Sequence, residues 1–248
     1  MKRLLLLSGA LLVLGASAAS AAPGLNLAWG SGCWLENPVN AKTFACNTNT
    51  GNAQMTGSYT PTASQPAFVG VECVLDFQVD GVTVPDWWTF FEAGTCRQTS
   101  LSTSADFSGA PQTSCTDQWF GLGAGGIAAY QTAASPIHDE RVNTPGWARL
   151  KVAYALADPS PLTGGTEYYG FRATMNYAKT VGSPSCAGCT TPVTIVLNEI
   201  KSAENTGPFE RVTDQDINRC LTWGASTVAC AAVPARNTSW GQVKSLYR

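Results

Sequence analysis

From Val69 to Val79 every odd position is apolar, while Glu72, Asp76 and Gln78 fall on the other parity. Consecutive side chains leave a β-strand on opposite faces, so a period of two marks a strand with one face buried. The same alternation recurs at Ala53, Met55, Gly57 and Tyr59, and at Leu150, Val152, Tyr154 and Leu156 against Arg149 and Lys151. It recurs again at Tyr169, Phe171, Ala173 and Met175 against Arg172, Thr174 and Asn176. Val193 to Ile200 is a mostly apolar, β-branched run, as expected of a strand near a sheet centre. Turn signals divide these segments at Asp80-Gly81, Asp158-Pro159-Ser160-Pro161, Gly164-Gly165 and Gly182-Ser183-Pro184. Antiparallel strands with one wet face predict an all-β chain: a single jelly-roll-like β-sandwich with long disulfide-stapled loops and few short helices. The helical candidates are a capping start at Thr213-Asp214-Gln215-Asp216 and the segment Trp240 to Tyr247, where Trp240, Val243, Leu246 and Tyr247 share a helical face. That C-terminal segment is expected either to dock on the sandwich or to serve as a sorting signal.

Composition sharpens this reading. The 248 residues include 24 Gly and 14 Pro, residues that weaken helix interiors and argue against an all-α fold. The N-terminus runs from Lys2-Arg3 through the apolar stretch Leu4 to Gly15 to Ala19-Ser20-Ala21, the layout of a secretory signal over residues 1–21 with a mature start at Ala22. Residues 22–248 then form one domain, exported to a periplasmic, cell-surface or extracellular location, and the Ala-rich signal has a bacterial form. No later run is long and apolar enough to span a bilayer. Losing Lys2 and Arg3 reduces 15 basic residues to 13 against 17 acidic, a mature net charge of −4. With one histidine and no basic stripe, the sequence offers no nucleic-acid surface, no metal site and no cofactor site.

Nine cysteines in an exported chain imply a disulfide framework with one thiol left over. Counting alone does not give the connectivity, but spacing favours neighbours: Cys33 with Cys46, Cys96 with Cys115, Cys186 with Cys189, and Cys220 with Cys230. Cys73 is the odd one, on the apolar parity of its strand, and is expected to be a buried, inert thiol.

The order of features is an apolar strand from Phe68 to Val79, an aromatic-rich turn, Tyr168-Tyr169-Gly170-Phe171, and then Thr194 to Lys201. Over residues 50–201 it resembles cohesin-type and carbohydrate-binding-module-type β-sandwiches of bacterial exported proteins. The resemblance implies a sandwich that binds a glycan or a protein without chemistry, and it carries over no individual binding residue.

Several motifs need weighing. Gly121-Leu122-Gly123-Ala124-Gly125-Gly126 fits the literal dinucleotide pattern, but no helix has room to follow before Pro136, so a glycine loop is expected. Cys186-Ala187-Gly188-Cys189 leads through Thr190-Thr191-Pro192 into a strand, not a helix, and reads as structural. His138 lacks a nucleophile elbow and is expected in a solvated loop. Asp214-Gln215-Asp216-Ile217-Asn218 opens like a calcium loop but has Arg219 where glycine is needed. Glu72, Asp76, Glu167 and Glu199 lie on or near strands and are expected as solvent-facing charges, although a hydrolytic pair among them is the alternative.

Pro85-Asp86-Trp87-Trp88-Thr89-Phe90-Phe91 is the richest stretch. On a strand Trp87 and Trp88 face opposite ways, so one would show, and with Asp86 it would form a stacking platform for a sugar ring or partner. The competing reading is a helical turn begun at Pro85 that closes an end of the sandwich. Two functions follow: a secreted or cell-surface non-catalytic protein that binds glycan or protein or serves as an envelope component, or an exported carboxylate-dependent hydrolase acting on polysaccharide.

Overall fold

A computed structural model describes residues 24–30, 32–33, 38–110, 115–135, 144–213 and 217–224. The signal segment, His138, Asp214, Asp216, Cys230 and the Trp240–Arg248 segment lie outside the described residues. Eleven strands run in the order β1 (Gly24–Trp29), β2 (Ala41–Lys42), β3 (Asn52–Thr60), β4 (Gln65–Val79), β5 (Leu101–Ser104), β6 (Ala124–Thr132), β7 (Trp147–Leu162), β8 (Tyr168–Asn176), β9 (Val193–Glu204), β10 (Glu210–Val212) and β11 (Cys220–Trp223). The described helical structure is confined to two 3-10 turns, Asp86–Trp88 and Ile217–Arg219.

The strands form a four-stranded sheet ordered β1-β3-β8-β5 and a seven-stranded sheet ordered β2-β11-β9-β4-β7-β6, with β10 added to β9. All named strand pairs are antiparallel except β2 with β11. The β3–β4, β4–β5, β5–β6, β7–β8 and β8–β9 connections each pass from one sheet to the other, which is the wiring of a jelly-roll-like sandwich. Leu25, Leu27, Met55, Tyr59, Ala173 and Met175 from the smaller sheet meet Val71, Cys73, Leu75, Phe77, Leu150, Val152, Ile195 and Leu197 from the larger in one core. From Val71 to Val79 the odd positions of β4 face inward as the alternation predicts, with Cys73 a buried free thiol among them, whereas a register shift between Phe68 and Gly70 puts Phe68 in the core and leaves Val69 half-buried.

Three local expectations fail. Asp158-Pro159-Ser160-Pro161 is not a turn but the far part of β7, where Ser160 pairs with Phe68. Beyond Ala155 no β6 residue pairs with β7, so this stretch is an edge on that side, where proline's missing N–H costs no ladder bond. Gly121 to Gly126 is not a plain loop either, because β6 begins at Ala124. Gly125, at φ 152°, pairs so closely with β7 that a Cβ there would sit 2.0 Å from the Ala153 carbonyl oxygen. The neighbour pairing of cysteines is also wrong. Cys33 bonds Cys115, Cys46 bonds Cys189 and Cys96 bonds Cys186, bridges separated by 82, 143 and 90 residues. Strands that cross between sheets bring distant loops to the same end, so nearness in sequence misleads. Cys220 is disulfide-bonded, and its expected partner Cys230 lies outside the described residues.

Candidate functional site

Two of these disulfides gather three loops at one end of the sandwich. Residues 43–51 precede β3, residues 80–100 join β4 to β5, and residues 177–192 join β8 to β9. Cys186 and Cys189 tie the third loop to the second and first respectively, so the C-x-x-C motif is a two-way clamp and not a redox pair.

The tryptophans expected to meet a ligand are the interior of this clamp. Pro85 opens a 3-10 turn, and both Trp87 and Trp88 are fully buried, so neither is a stacking platform; Asp86 alone of the trio is exposed. A 3-10 turn does not alternate faces as a strand does, which is why both rings turn inward. Trp87, Trp88 and Trp223 meet pairwise with ring centres 4.9–5.1 Å apart. Their indole N–H groups are all used: Trp87 donates to Thr180 Oγ1, Trp88 to the Gly188 carbonyl and Trp223 to the Cys189 carbonyl. Gly188, at φ 99°, lies so close to Pro85 that a Cβ would stand 2.2 Å from the proline ring.

Arg97 completes the interior. It is 1% exposed, its guanidinium lies 3.6 Å above the Trp87 ring, and it donates to the carbonyls of Trp87 and Asn176. Loss of solvation pulls its pKa down from 12.5 to about 10. The positive charge is met by ring faces and carbonyl dipoles, an arrangement suited to the weakly hydrated guanidinium.

Outside this interior lies a recess of about 90 Å³ lined by Phe44, Cys46, Thr48, Tyr177, Thr180 and Cys189. Phe44 and Tyr177 meet edge to face at 5.2 Å. Tyr177 backs onto Gly51, where a Cβ would come within 3.3 Å of the ring. Partial burial raises the Tyr177 phenol, so it is neutral and able to hydrogen-bond at ordinary pH. Asn49 Oδ1 accepts from the Thr180 and Val181 amides and fixes the rim. Among the described residues no carboxylate, amine, imidazole or free thiol lines the recess. Such a site can hold an uncharged ring or apolar group against two aromatic edges and a disulfide.

The acidic residues lie elsewhere and are engaged. Asp76, expected in solvent, is 3% exposed and takes Arg149 Nε and Nη2 at 2.7 and 2.8 Å together with Asn198 Nδ2 at 2.7 Å. Glu167, also expected in solvent, is 2% exposed, and its Oε1 accepts from Ser58 and Asn26 beside the Cys33–Cys115 bridge. That grouping is no metal centre, because a disulfide has no thiolate to offer. Glu72 and Glu199 both contact Lys201, at 2.7 and 3.5 Å, and Glu199 also takes Arg211 at 2.7 Å. The recess itself was invisible in the sequence, since Phe44 and Tyr177 are isolated aromatics 133 positions apart. Compared with known proteins, the chain matches no family model and no curated protein.

Proposed function

We propose that this is an exported, cell-surface or extracellular protein that binds a glycan or a protein without catalysis, through the clamped loop end of its sandwich. The observation that carries the reading is the Phe44–Tyr177 recess: aromatic and mostly apolar, with no carboxylate, amine or imidazole among its described lining residues, and tied by two disulfides. Rigid aromatics give contact area at low entropic cost, and the Tyr177 hydroxyl supplies direction, as an uncharged sugar ring or a proline-like side chain requires. Disulfide-bonded loops and the absence of a long apolar helix among the described residues are compatible with export. The hydrolase alternative is less well supported, because Asp76, Glu167 and Glu199 are each committed to hydrogen bonds or ion pairs.

Glycan arrays and pull-downs with the mature chain test the proposal, with Tyr177→Ala as the comparison. Binding that falls at least tenfold in Tyr177→Ala, with the near-ultraviolet spectrum of the tryptophan cluster unchanged, is the expected result. Binding indifferent to Tyr177, or polysaccharide turnover abolished by a single Asp or Glu substitution, overturns it.

A further inference from the structure

Part of the seven-stranded sheet is buried on the side that faces away from the core. On β11, Leu221 and Trp223 join the core between the sheets, so Cys220 points the other way, where it meets Val196 and Trp147 in a separate apolar group. Thr194, Val196 and Cys220 are fully enclosed, and Asp76, Gln78 and Arg149 beside them are nearly so. All six lie on the parity opposite to Phe77, Leu150, Ile195 and Leu221, which fill the core. Every described strand belongs to one of the two sheets, and the 3-10 turns sit in the clamp and against β1. Among the described residues, then, no strand or helical turn lies over this enclosed outward face.

Cys220 identifies the cover. It is disulfide-bonded. Three other bridges take Cys33, Cys46, Cys96, Cys115, Cys186 and Cys189, and Cys73 is a free thiol, so Cys230 is the one cysteine left to join it. A disulfide needs its two Cα atoms within about 7 Å, closer than the roughly 10 Å between packed sheet layers. The chain leaves β11 at Gly224, whose φ of 70° turns it out of the strand, and β2 already pairs with β11 at Thr222 and Trp223. With that edge taken and the Cys220 side chain directed outward, the way back to Cys220 runs over the face.

The residues that follow Gly224 suit such a path. Residues 225–235 read Ala-Ser-Thr-Val-Ala-Cys-Ala-Ala-Val-Pro-Ala, with no charge and only small side chains, so their backbone can lie close on Val196 and Thr194. Residues 136–143, by contrast, carry Asp139, Glu140 and Arg141 and have no cysteine.

We infer that residues 225–235 form a strap across the outward face of the seven-stranded sheet, fastened through Cys220–Cys230, so that this face is a docking surface for the chain's own C-terminal segment. A face covered in this way is closed to partners, and a ligand has to be met elsewhere on the molecule, as at the clamped loop end.

Thiol labelling of the mature protein with a maleimide tests this, with Cys73 as the internal gauge of folding. In Cys230→Ser, Cys220 carries a free thiol beneath the strap and is expected to label slowly. In a chain ending at Gly224 the same thiol is bare and is expected to label at least tenfold faster, while Cys73 stays inert. If truncation unfolds the protein, so that Cys73 labels too, the double variant Cys230→Ser/Val228→Asp takes its place, and the same acceleration is expected from a strap that no longer seats. Equal Cys220 labelling in strapped and unstrapped chains, or peptide mapping that finds Cys220 joined elsewhere than to Cys230, overturns the inference.

Discussion

Asp76 and Arg149 stand opposite each other on β4 and β7, so a register pair sets their contact before any long-range packing does. The alternation of β4 placed Asp76 correctly on the outer face, but a single strand's pattern cannot show what its neighbour brings opposite, and so its burial was missed. Removing one partner of a buried, two-pronged pair leaves the other charge uncompensated, so Asp76→Ala is expected to cost about 3–5 kcal/mol in urea unfolding. An Asp76→Leu/Arg149→Met double variant should recover most of that; if it does not, other contacts of Arg149 dominate. Cys73 was legible in full, because its parity and its oddness in the count agree. Burial pushes its thiol well above the ordinary value of 9.0, so it should resist thiol reagents in the native protein and react once unfolded.

At the scale of elements, long alternating strands were readable, and short or glycine-rich ones were not. β3, β4, β8 and β9 follow their hydrophobic pattern, whereas the start of β6 reads as part of the Gly121–Gly126 loop because glycine and alanine leave no alternation to detect. The Trp87-Trp88 segment shows the same limit in reverse. Period-two reasoning demands one exposed ring, but the competing turn begun at Pro85 is the one that forms, and it buries both. Each of these rings occupies a fully enclosed site with its N–H bonded, so Trp88→Ala is expected to cost about 3–5 kcal/mol, the range for an aromatic removed from a core. Calorimetry checks this, and a loss under about 1 kcal/mol would show that the three-loop end is not one packed unit. If the clamp is such a unit, Trp88→Ala should also abolish ligand binding at the recess, through the Gly188 carbonyl that Trp88 holds.

For the molecule as a whole, alkaline pH is the condition that should undo it. Burial raises the phenols of Tyr59 and Tyr130 and the thiol of Cys73, and a raised acid contributes stability that is intact below its unfolded pKa and lost above it. Arg97 works the other way: its lowered value means that its burial cost is relieved as pH rises past about 10. The Tyr154 and Tyr177 phenols are raised as well, so the raised acids outweigh Arg97, and stability should fall from about pH 9 and be several kcal/mol lower by about pH 11. Urea titrations with tyrosinate absorbance would show it, and loss of the near-pH 10 absorbance step in Tyr59→Phe or Tyr130→Phe while the protein stays folded would contradict it. Peptide mapping should likewise recover Cys33–Cys115, Cys46–Cys189 and Cys96–Cys186, each closing a loop that removes roughly 4–5 kcal/mol of unfolded-chain entropy in the simplest picture. That interlaced connectivity reaches back to biogenesis. An oxidase that joins cysteines as they emerge would first couple Cys33 to Cys46 and Cys73 to Cys96, and short-range closure favours Cys186 with Cys189. All three of those bridges are non-native. Native pairing is therefore expected to need disulfide isomerisation, and in a host compartment equipped only to oxidise, the sequentially paired species should accumulate in its place.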